Sequence, residues 1–273
     1  TRKKEYIPVI VGAELPTPLA DIAYYYTADD ESKALFAQFT YSLTDALKVT
    51  AGGRYTWEKL GLRQNPGSLF NLDGSTPLKQ SASLKDPSWT FNIQYQINPE
   101  NMVYFAQRGS FRAGGFNGAV VPFNDTNFFG NENTYDFEVG YKYNGYVGSV
   151  LTRLNIAAYR QIVKHAQHSI YALVNGNPAA FTVNVPEKRI QGVEFDGNFR
   201  LSRMFEFGFS GAYTDAKFTK NVVDLSAATG VAGLTIPFDT YTDAPKWAGS
   251  VYGVVTVPMA GDLGDVSFRT DVF

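Results

Sequence analysis

Oily and polar residues alternate along most of this chain. In residues 133–162 one column holds Tyr135, Phe137, Val139, Tyr141 and Tyr143, and the other holds Thr134, Asp136, Glu138, Gly140, Lys142 and Asn144. Beyond a tight NGYVG the alternation resumes, with Val150, Leu154, Ile156 and Ala158 opposite Arg153, Asn155, Tyr159 and Gln161. A period of two is the mark of a β-strand, whose successive side chains point to opposite faces. Leu47, Val49, Ala51, Tyr55 and Trp57 likewise oppose Lys48, Thr50, Arg54, Thr56 and Glu58. Val193, Phe195, Phe199 and Leu201 oppose Glu194, Asp196, Asn198 and Arg200, and Phe205, Phe207, Phe209 and Tyr213 oppose Glu206, Gly208, Ser210 and Ala212.

The pattern predicts about ten strands, over residues 33–43, 46–60, 87–98, 101–112, 133–144, 147–163, 187–201, 204–217, 244–257 and 264–273. It leaves open which face of 101–112 and of 244–257 is the oily one. Helical periodicity is scarcely visible. Short connections (SLTDAL, INPENM, YNGYVG, LSRM and PMAGDLG) alternate with long ones over 61–86, 113–132, 164–186 and 218–243. Four such loops argue against a compact soluble domain. An outer-membrane barrel has short periplasmic turns, long extracellular loops and strands of about ten residues. In lipid no backbone group bonds to water, so the sheet closes on itself, its outer face is apolar and its lumen is free to be polar. A soluble β-sandwich or propeller also alternates, but its strands average about five or six residues, whereas 46–60 and 147–163 are longer.

Composition narrows the classes further. Among 273 residues, aromatics reach 15% and charged residues only 18%, below the roughly 25% of ordinary soluble domains. With 24 basic and 26 acidic residues, the net charge of -2 leaves no footprint for nucleic acid. No cysteine is present, which excludes disulfides and thiolate metal sites. No run of 18 apolar residues occurs, so no transmembrane helix is expected. The opening TRKKEY lacks the apolar core of a signal peptide and is read as an internal start. Phe273 is aromatic, as is typical of a barrel's last residue, but Asp271, Arg269 and Ser267 precede it at alternate positions, so it is read as falling in mid-barrel.

Four blocks, in order, carry a resemblance: FAQFTYSLTDALKVTAGGRYTWEKL (36–60), YFAQRGSFRAGGFNG (104–118), YDFEVGYK (135–142) and RIQGVEFD (189–196). Together they resemble the barrel of TonB-dependent outer-membrane receptors over about 33–273. Ser110 stands where that family usually has glycine. The motif positions matched are Arg54, Tyr55, Gly114, Gly115, Phe116, Asn117, Glu138, Gly140, Lys142, Gly192 and Glu194. The resemblance implies an all-β antiparallel transmembrane barrel of 22 strands closed by an N-terminal plug, with these strands corresponding to the tenth to nineteenth. Plug and TonB box are absent from this sequence, and 1–32 is expected to be an extracellular loop. The implied function is TonB-driven uptake of a scarce ligand, by default a siderophore-iron complex, with carbohydrate and aromatic compounds also open. The implied partners are the TonB complex, outer-membrane lipid and lipopolysaccharide, and the ligand; no cofactor and no catalysis are expected. A passive porin and a secreted carbohydrate-binding β-protein are the alternatives.

Candidate ligand contacts are Tyr24, Tyr25, Phe128 and Phe129, aromatics beside carboxylates in expected loops, together with Arg112 at a strand end. Gly114 and Gly115 are expected to permit a bend or unusual dihedral angles. His165 and His168 are expected to be solvated, since residues three apart in a strand face opposite ways. Glu194 and Asp196 lie about 7 Å apart along one face. Their expected role is ion pairing with Lys188, Arg200, Arg153 or Lys142, or with plug residues, rather than acid–base catalysis.

Overall fold

The computed structural model describes residues 2–6, 26–64, 78–117, 128–174, 177–226, 232–238, 244–259 and 264–273. Its strands are β1 (Arg2–Tyr6), β2 (Tyr26–Ser42), β3 (Leu47–Gln64), β4 (Leu78–Asn98), β5 (Asn101–Arg112), β6 (Gly115–Phe116), β7 (Phe128–Phe129), β8 (Glu132–Val147), β9 (Val150–Val174), β10 (Asn177–Arg200), β11 (Phe205–Lys220), β12 (Val222–Asp224), β13 (Thr235–Pro237), β14 (Trp247–Pro258) and β15 (Asp265–Val272). Eleven of them form one antiparallel sheet in the order β1-β2-β3-β4-β5-β8-β9-β10-β11-β14-β15, and the pairs β6-β7 and β12-β13 stand apart. The sheet strands follow one another in chain order, an up-and-down meander in which β6-β7 and β12-β13 fall in the connections from β5 to β8 and from β11 to β14, and the sheet is open, with β1 and β15 at its edges.

The short connections close hairpins with polar side chains that mimic backbone partners. Thr44 Oγ1 accepts from the Leu47 N–H at 3.0 Å, Asn98 Oδ1 from the Asn101 N–H at 3.0 Å, and Ser202 Oγ from the Phe205 N–H at 3.2 Å. The hairpin expected at YNGYVG turns later than its Asn-Gly pair. Strand β8 runs on to Val147, and the chain reverses at Gly148, whose φ is +63°. A left-handed residue is what a tight hairpin requires.

Residues opposite one another in register share a face, so one row fixes the orientation of many strands. The row Thr50–Asn92–Ala106–Glu138–Tyr159–Gly192–Thr214 crosses seven strands and is polar or small throughout. It settles the two faces left open. On β5 the even column (Tyr104, Ala106, Arg108) is polar-facing, and on β14 Ser250 and Tyr252 join it through Ser210 and Gly208. The oily columns are exposed, with Phe39 at 76%, Trp247 at 71% and Ile156 at 47%. They are not sandwiched in a globular interior.

Rings lie over glycines on adjacent strands of both faces: Trp89 over Gly109 on the oily side, and Tyr104 over Gly140 and Tyr252 over Gly208 on the polar side. Any Cβ there meets the ring, so the glycines are the seats that let large aromatics lie flat on the sheet.

Toward the long connections the strands outrun their sequence pattern. Strands β9 and β10, of 25 and 24 residues, occupy most of the expected loop 164–186. At about 3.3 Å per residue they are far longer than the roughly ten residues that cross a bilayer. Strand β4 begins at Leu78 instead of 87, and β2 at Tyr26 instead of 33. With β1, the latter puts strands at both ends of the stretch 1–32 expected as a loop; residues 7–25 lie outside the described set. Above the bilayer backbone pairing persists, but no solvent demands an oily face, so the alternation fades.

The projecting β9–β10 hairpin has a core of its own. Ala166, Ile170 and Val185 are buried with Val163, Val223 and Leu225, and Val183, Phe218, Leu234, Ile236 and Phe238 pack against them. His168 is not a solvated loop residue. Its ring meets Phe238 edge-on at 5.2 Å and Phe218 at 6.0 Å. His165 is exposed, with φ +53°.

Two outcomes follow for the full-length protein. Leu225→Ala removes a side chain only 1% exposed and costs about 2–5 kcal/mol of local stability. Hydrogen exchange should quicken in 163–170 and 182–187 while β3 stays protected. Ile156→Arg should destabilise the barrel in bilayers by about 2–4 kcal/mol, as expected for a cation at mid-depth on the lipid face. Asn155→Arg, its neighbour on the opposite face, should cost far less in the same denaturant titration.

Candidate functional site

The polar face is the hollow side of the sheet. A cleft of about 640 Å³ opens on it, lined by Arg153, Asp196, Asn198, Glu206, Tyr252 and Arg269, all polar-column residues. Their bonds run across strands. Asn198 Nδ2 donates to Glu206 at 2.8 Å and to the Tyr252 oxygen at 2.5 Å, while the Arg269 guanidinium lies 4.2 Å from the Tyr252 ring centre. Arg269 also pairs with Asp271 at 2.7 Å, and Arg200 with Glu206 at 3.4 Å.

The motif residues Glu138, Gly140 and Lys142 converge on one side chain, Tyr104. Its ring lies over Gly140, its hydroxyl donates to Glu138 Oε1 at 2.6 Å, and Lys142 Nζ sits 5.4 Å from the ring centre. Arg108 ties the cluster together by pairing with Asp136 at 2.7 Å and with Glu138. Gly192 has the matching role one row along. Tyr159 reaches across it to Thr214, 3.1 Å between hydroxyls, and a side chain at 192 meets the Tyr213 carbonyl. Tyr104, Arg108 and Asp136 were missing from the sequence candidates. The signal for the first two was the even column of 101–112, legible only once the register oriented that strand.

Among the described residues, the ion pairs expected of Glu194 and Asp196 within the barrel are not made, and the expected pairing with plug residues lies outside this chain. Among the described residues Glu194 has no cation within 4 Å, and Asp196 accepts instead from Asn155 Nδ2 at 2.8 Å. Of the cations named for them, Arg200 goes to Glu206 and Lys142 to the Tyr104 ring. Arg54 Nε donates to Thr56 Oγ1 at 3.1 Å on the polar face, and Tyr55 and Trp57 pack ring to ring at 4.8 Å on the oily one.

At the long-connection end, the segment leaving β5 folds back over the hollow side and is pinned by amides. Gln167 Nε2 donates to the carbonyls of Ala113 at 2.8 Å and Gly130 at 3.1 Å, and more weakly to that of Arg112. Asn184 bonds both the N–H and the carbonyl of Gly130, at 2.7 and 3.0 Å. Asn117 pairs with Thr182 like a strand residue, accepting from its N–H at 2.7 Å and donating to its carbonyl at 2.9 Å. Asp86 accepts from Asn131 and Asn133 at 2.9 and 3.0 Å. Gly114 and Gly115 have no positive φ, so of the two expected uses, a bend or unusual dihedral angles, the left-handed backbone is not the one taken. They allow close approach, because a Cβ on Gly114 would strike the Phe129 carbonyl and one on Gly115 the Phe129 ring.

The pinned segment brings Phe116 and Phe128 together at 5.5 Å and sets Phe116 and Phe129 against Leu60 and Leu62 on the wall of β3. Arg112 is exposed at the same rim, and no carboxylate lies within 4 Å of it among the described residues. Tyr24 and Tyr25 lie outside the described residues. Farther along the rim, bonding from the Ser226 hydroxyl and N–H holds the Asp224 carboxyl below its ordinary range.

Comparison with known proteins agrees with this architecture. A family model described as TonB dependent receptor-like, beta-barrel matches residues 7–269. No curated protein matches the chain by sequence. Among solved structures, the ferric yersiniabactin uptake receptor FyuA from Yersinia pestis superposes with a TM-score of 0.63 at 17% identity, covering 89% of this chain and 34% of that one. The siderophore receptor PiuA from Acinetobacter baumannii gives 0.62 at 15% identity, covering 90% and 36%. The Serratia marcescens hemophore receptor HasR, in complex with its hemophore HasA and heme, gives 0.59 at 17%, covering 89% and 45%. The chain therefore spans between about a third and a half of the length of these receptors. An exposed oily face, a polar hollow face, the up-and-down meander and the family match lead to one conclusion: this chain belongs to the TonB-dependent receptor β-barrel family and is part of an outer-membrane barrel.

Proposed function

We propose that the chain is the barrel wall of a receptor that takes up a scarce ligand across the outer membrane, with siderophore-bound iron the leading candidate. Extracellular loops bind the ligand, and passage follows through a plug-gated lumen driven by the TonB complex. The observation that carries this reading is the amide-pinned segment after β5, which holds Phe116, Phe128 and Phe129 over the hollow polar face with the exposed Arg112 beside it. A porin needs no such aromatic rim. A receptor for a ferric chelate gains from both parts: flat rings stack on aromatic or conjugated chelators, and a guanidinium pairs with their anionic groups. FyuA and PiuA are named for siderophores, which favours iron chelates, whereas HasR is named for a hemophore, so neighbours of one fold serve different cargo. The residues proposed to contact ligand are Arg112, Phe128 and Phe129, with Tyr24 and Tyr25 on the preceding connection.

Deletion of the full-length gene should impair growth under iron restriction and abolish uptake of at least one labelled ferric siderophore, with the same loss in a strain lacking TonB. Uptake that continues without TonB would contradict the reading. In the full receptor, Arg112→Gln should weaken that siderophore's binding about tenfold or more, from loss of a charge-assisted bond worth about 1.5–3 kcal/mol. Phe128→Ala should weaken it about two- to tenfold, corresponding to an aromatic contact of about 0.5–1.5 kcal/mol. Equilibrium fluorescence quenching measures both.

A further inference from the structure

The hollow face changes character at its outer end. On β3 its column runs Lys48, Thr50, Gly52, Arg54, Thr56 and Glu58, and then turns oily at Leu60 and Leu62. The neighbouring strands follow: Ala28 of β2 stands opposite Leu62, and Ala82 and Leu84 of β4 stand opposite Leu60 and Glu58. Lipid lies on the other side of the sheet, so this apolar floor answers to something inside the mouth. Part of the answer is the segment after β5, whose Phe116 and Phe129 lie against Leu60 and Leu62, residues only 7% and 3% exposed. The cover is incomplete. A cavity of about 250 Å³ remains between floor and rings, and Asp30 and Glu58 line it too.

The two acids are diagonal neighbours, since Asp30 stands opposite Leu60 and Glu58 opposite Ser32. That relation puts them about 7–8 Å apart. Glu58 accepts from the Ser32 hydroxyl at 3.3 Å, and among the described residues neither acid has a cation within 4 Å. Arg54, in the same column of β3, donates to Thr56 instead. Lys33, Lys59 and Arg63 hold odd positions and therefore stand on the opposite face. Two anions bordering an apolar, partly enclosed space are costly unless a cation joins them.

We propose that this cavity binds an organic cation, an ammonium group on a short apolar stem, carried as one arm of the transported ligand. Each part of the lining has a use for such a group. Asp30 and Glu58 accept its N–H bonds, the rings of Phe116 and Phe129 attract its charge, and Leu60 and Leu62 take the stem. A neutral sugar leaves both carboxylates uncompensated, and an anionic group is repelled by them. At about 250 Å³ the cavity is smaller than the roughly 300–1,000 Å³ that encloses a whole drug-sized ligand, so it holds an arm and not the entire cargo. Arg112, exposed at the same rim, is left for an anionic part, which gives the cargo both signs of charge. The inference rests on the uptake reading for the identity of the cargo, but not for binding at the cavity.

The test uses the full-length receptor in detergent and ligand-observed fluorine NMR with three probes of one shape: para-fluorophenethylamine, the corresponding alcohol, and para-fluorophenylacetate. At neutral pH the wild-type receptor should bind the amine at least tenfold more tightly than the alcohol or the acid, a comparison that needs no variant. Asp30→Asn/Glu58→Gln should lower the amine's affinity at least tenfold, to the level of the alcohol. Asp29→Asn/Glu31→Gln, the same change of charge on the opposite face of β2, should leave it within twofold. Equal binding of amine and alcohol, which marks a neutral aromatic or sugar pocket, would overturn the proposal, as would full affinity in the first double variant or equal loss in the second. TonB-dependent uptake is measured separately, so the cavity's role and the uptake reading fail independently.

Discussion

Backbone hydrogen bonding in a medium without water is the constraint from which the rest of this structure follows. Every N–H and C=O at hydrocarbon depth needs a partner, and here each strand of the eleven-stranded sheet pairs with the one that follows it in that sheet, from β1 to β15, with the pairs β6-β7 and β12-β13 set in the connections. A meander of this kind sends successive connections to opposite ends. It also leaves each strand with two environments. Side chains are then sorted by parity, and one sheet presents Phe39, Ile156 and Trp247 to lipid while its other face gathers Glu138, Asp196 and Arg269.

The polar face is organised rather than merely permitted. Tyr104 is the clearest example, with its ring over Gly140, its hydroxyl on Glu138 and Lys142 near its face. Family-motif positions that read as separate letters thus form one object spread over two adjacent strands, and the same logic joins Tyr159, Gly192 and Thr214. At the outer rim, Gln167, Asn117 and Asn184 replace missing strand partners with amide groups and hold an irregular segment where no ladder reaches it.

Much of this architecture was legible in the sequence, and the misses have physical causes. Strands buried in the band, such as β3 and β11, were read to within a few residues because lipid on one side and water on the other impose strict alternation. The 164–186 hairpin was read as a loop because it stands above the bilayer, where pairing needs no oily column. Its apolar residues serve a small core with Leu225 and Phe238 that is distant in sequence. His168 was misjudged for the same reason, since its neighbours Phe218 and Phe238 are not near it along the chain. The rim site was legible as aromatic residue types but not as geometry. Nothing in AGGFNG says that Asn117 pairs with Thr182, or that Gly114 is there to admit the Phe129 carbonyl.

The central claim, that alternate residues of each strand touch hydrocarbon and water, is tested most directly by a single-cysteine scan of the full-length receptor in membranes. The chain has no native cysteine to interfere within this barrel. Spin labels placed one at a time from Tyr135 to Tyr143 report collisions with oxygen, which concentrates in lipid, and with a water-soluble nickel chelate. The account predicts a strict period of two, with oxygen access highest at 135, 137, 139, 141 and 143 and nickel access highest at 136, 138, 140 and 142. Uniform access along the strand, or oxygen maxima at the positions of Asp136, Glu138 and Lys142, would contradict it.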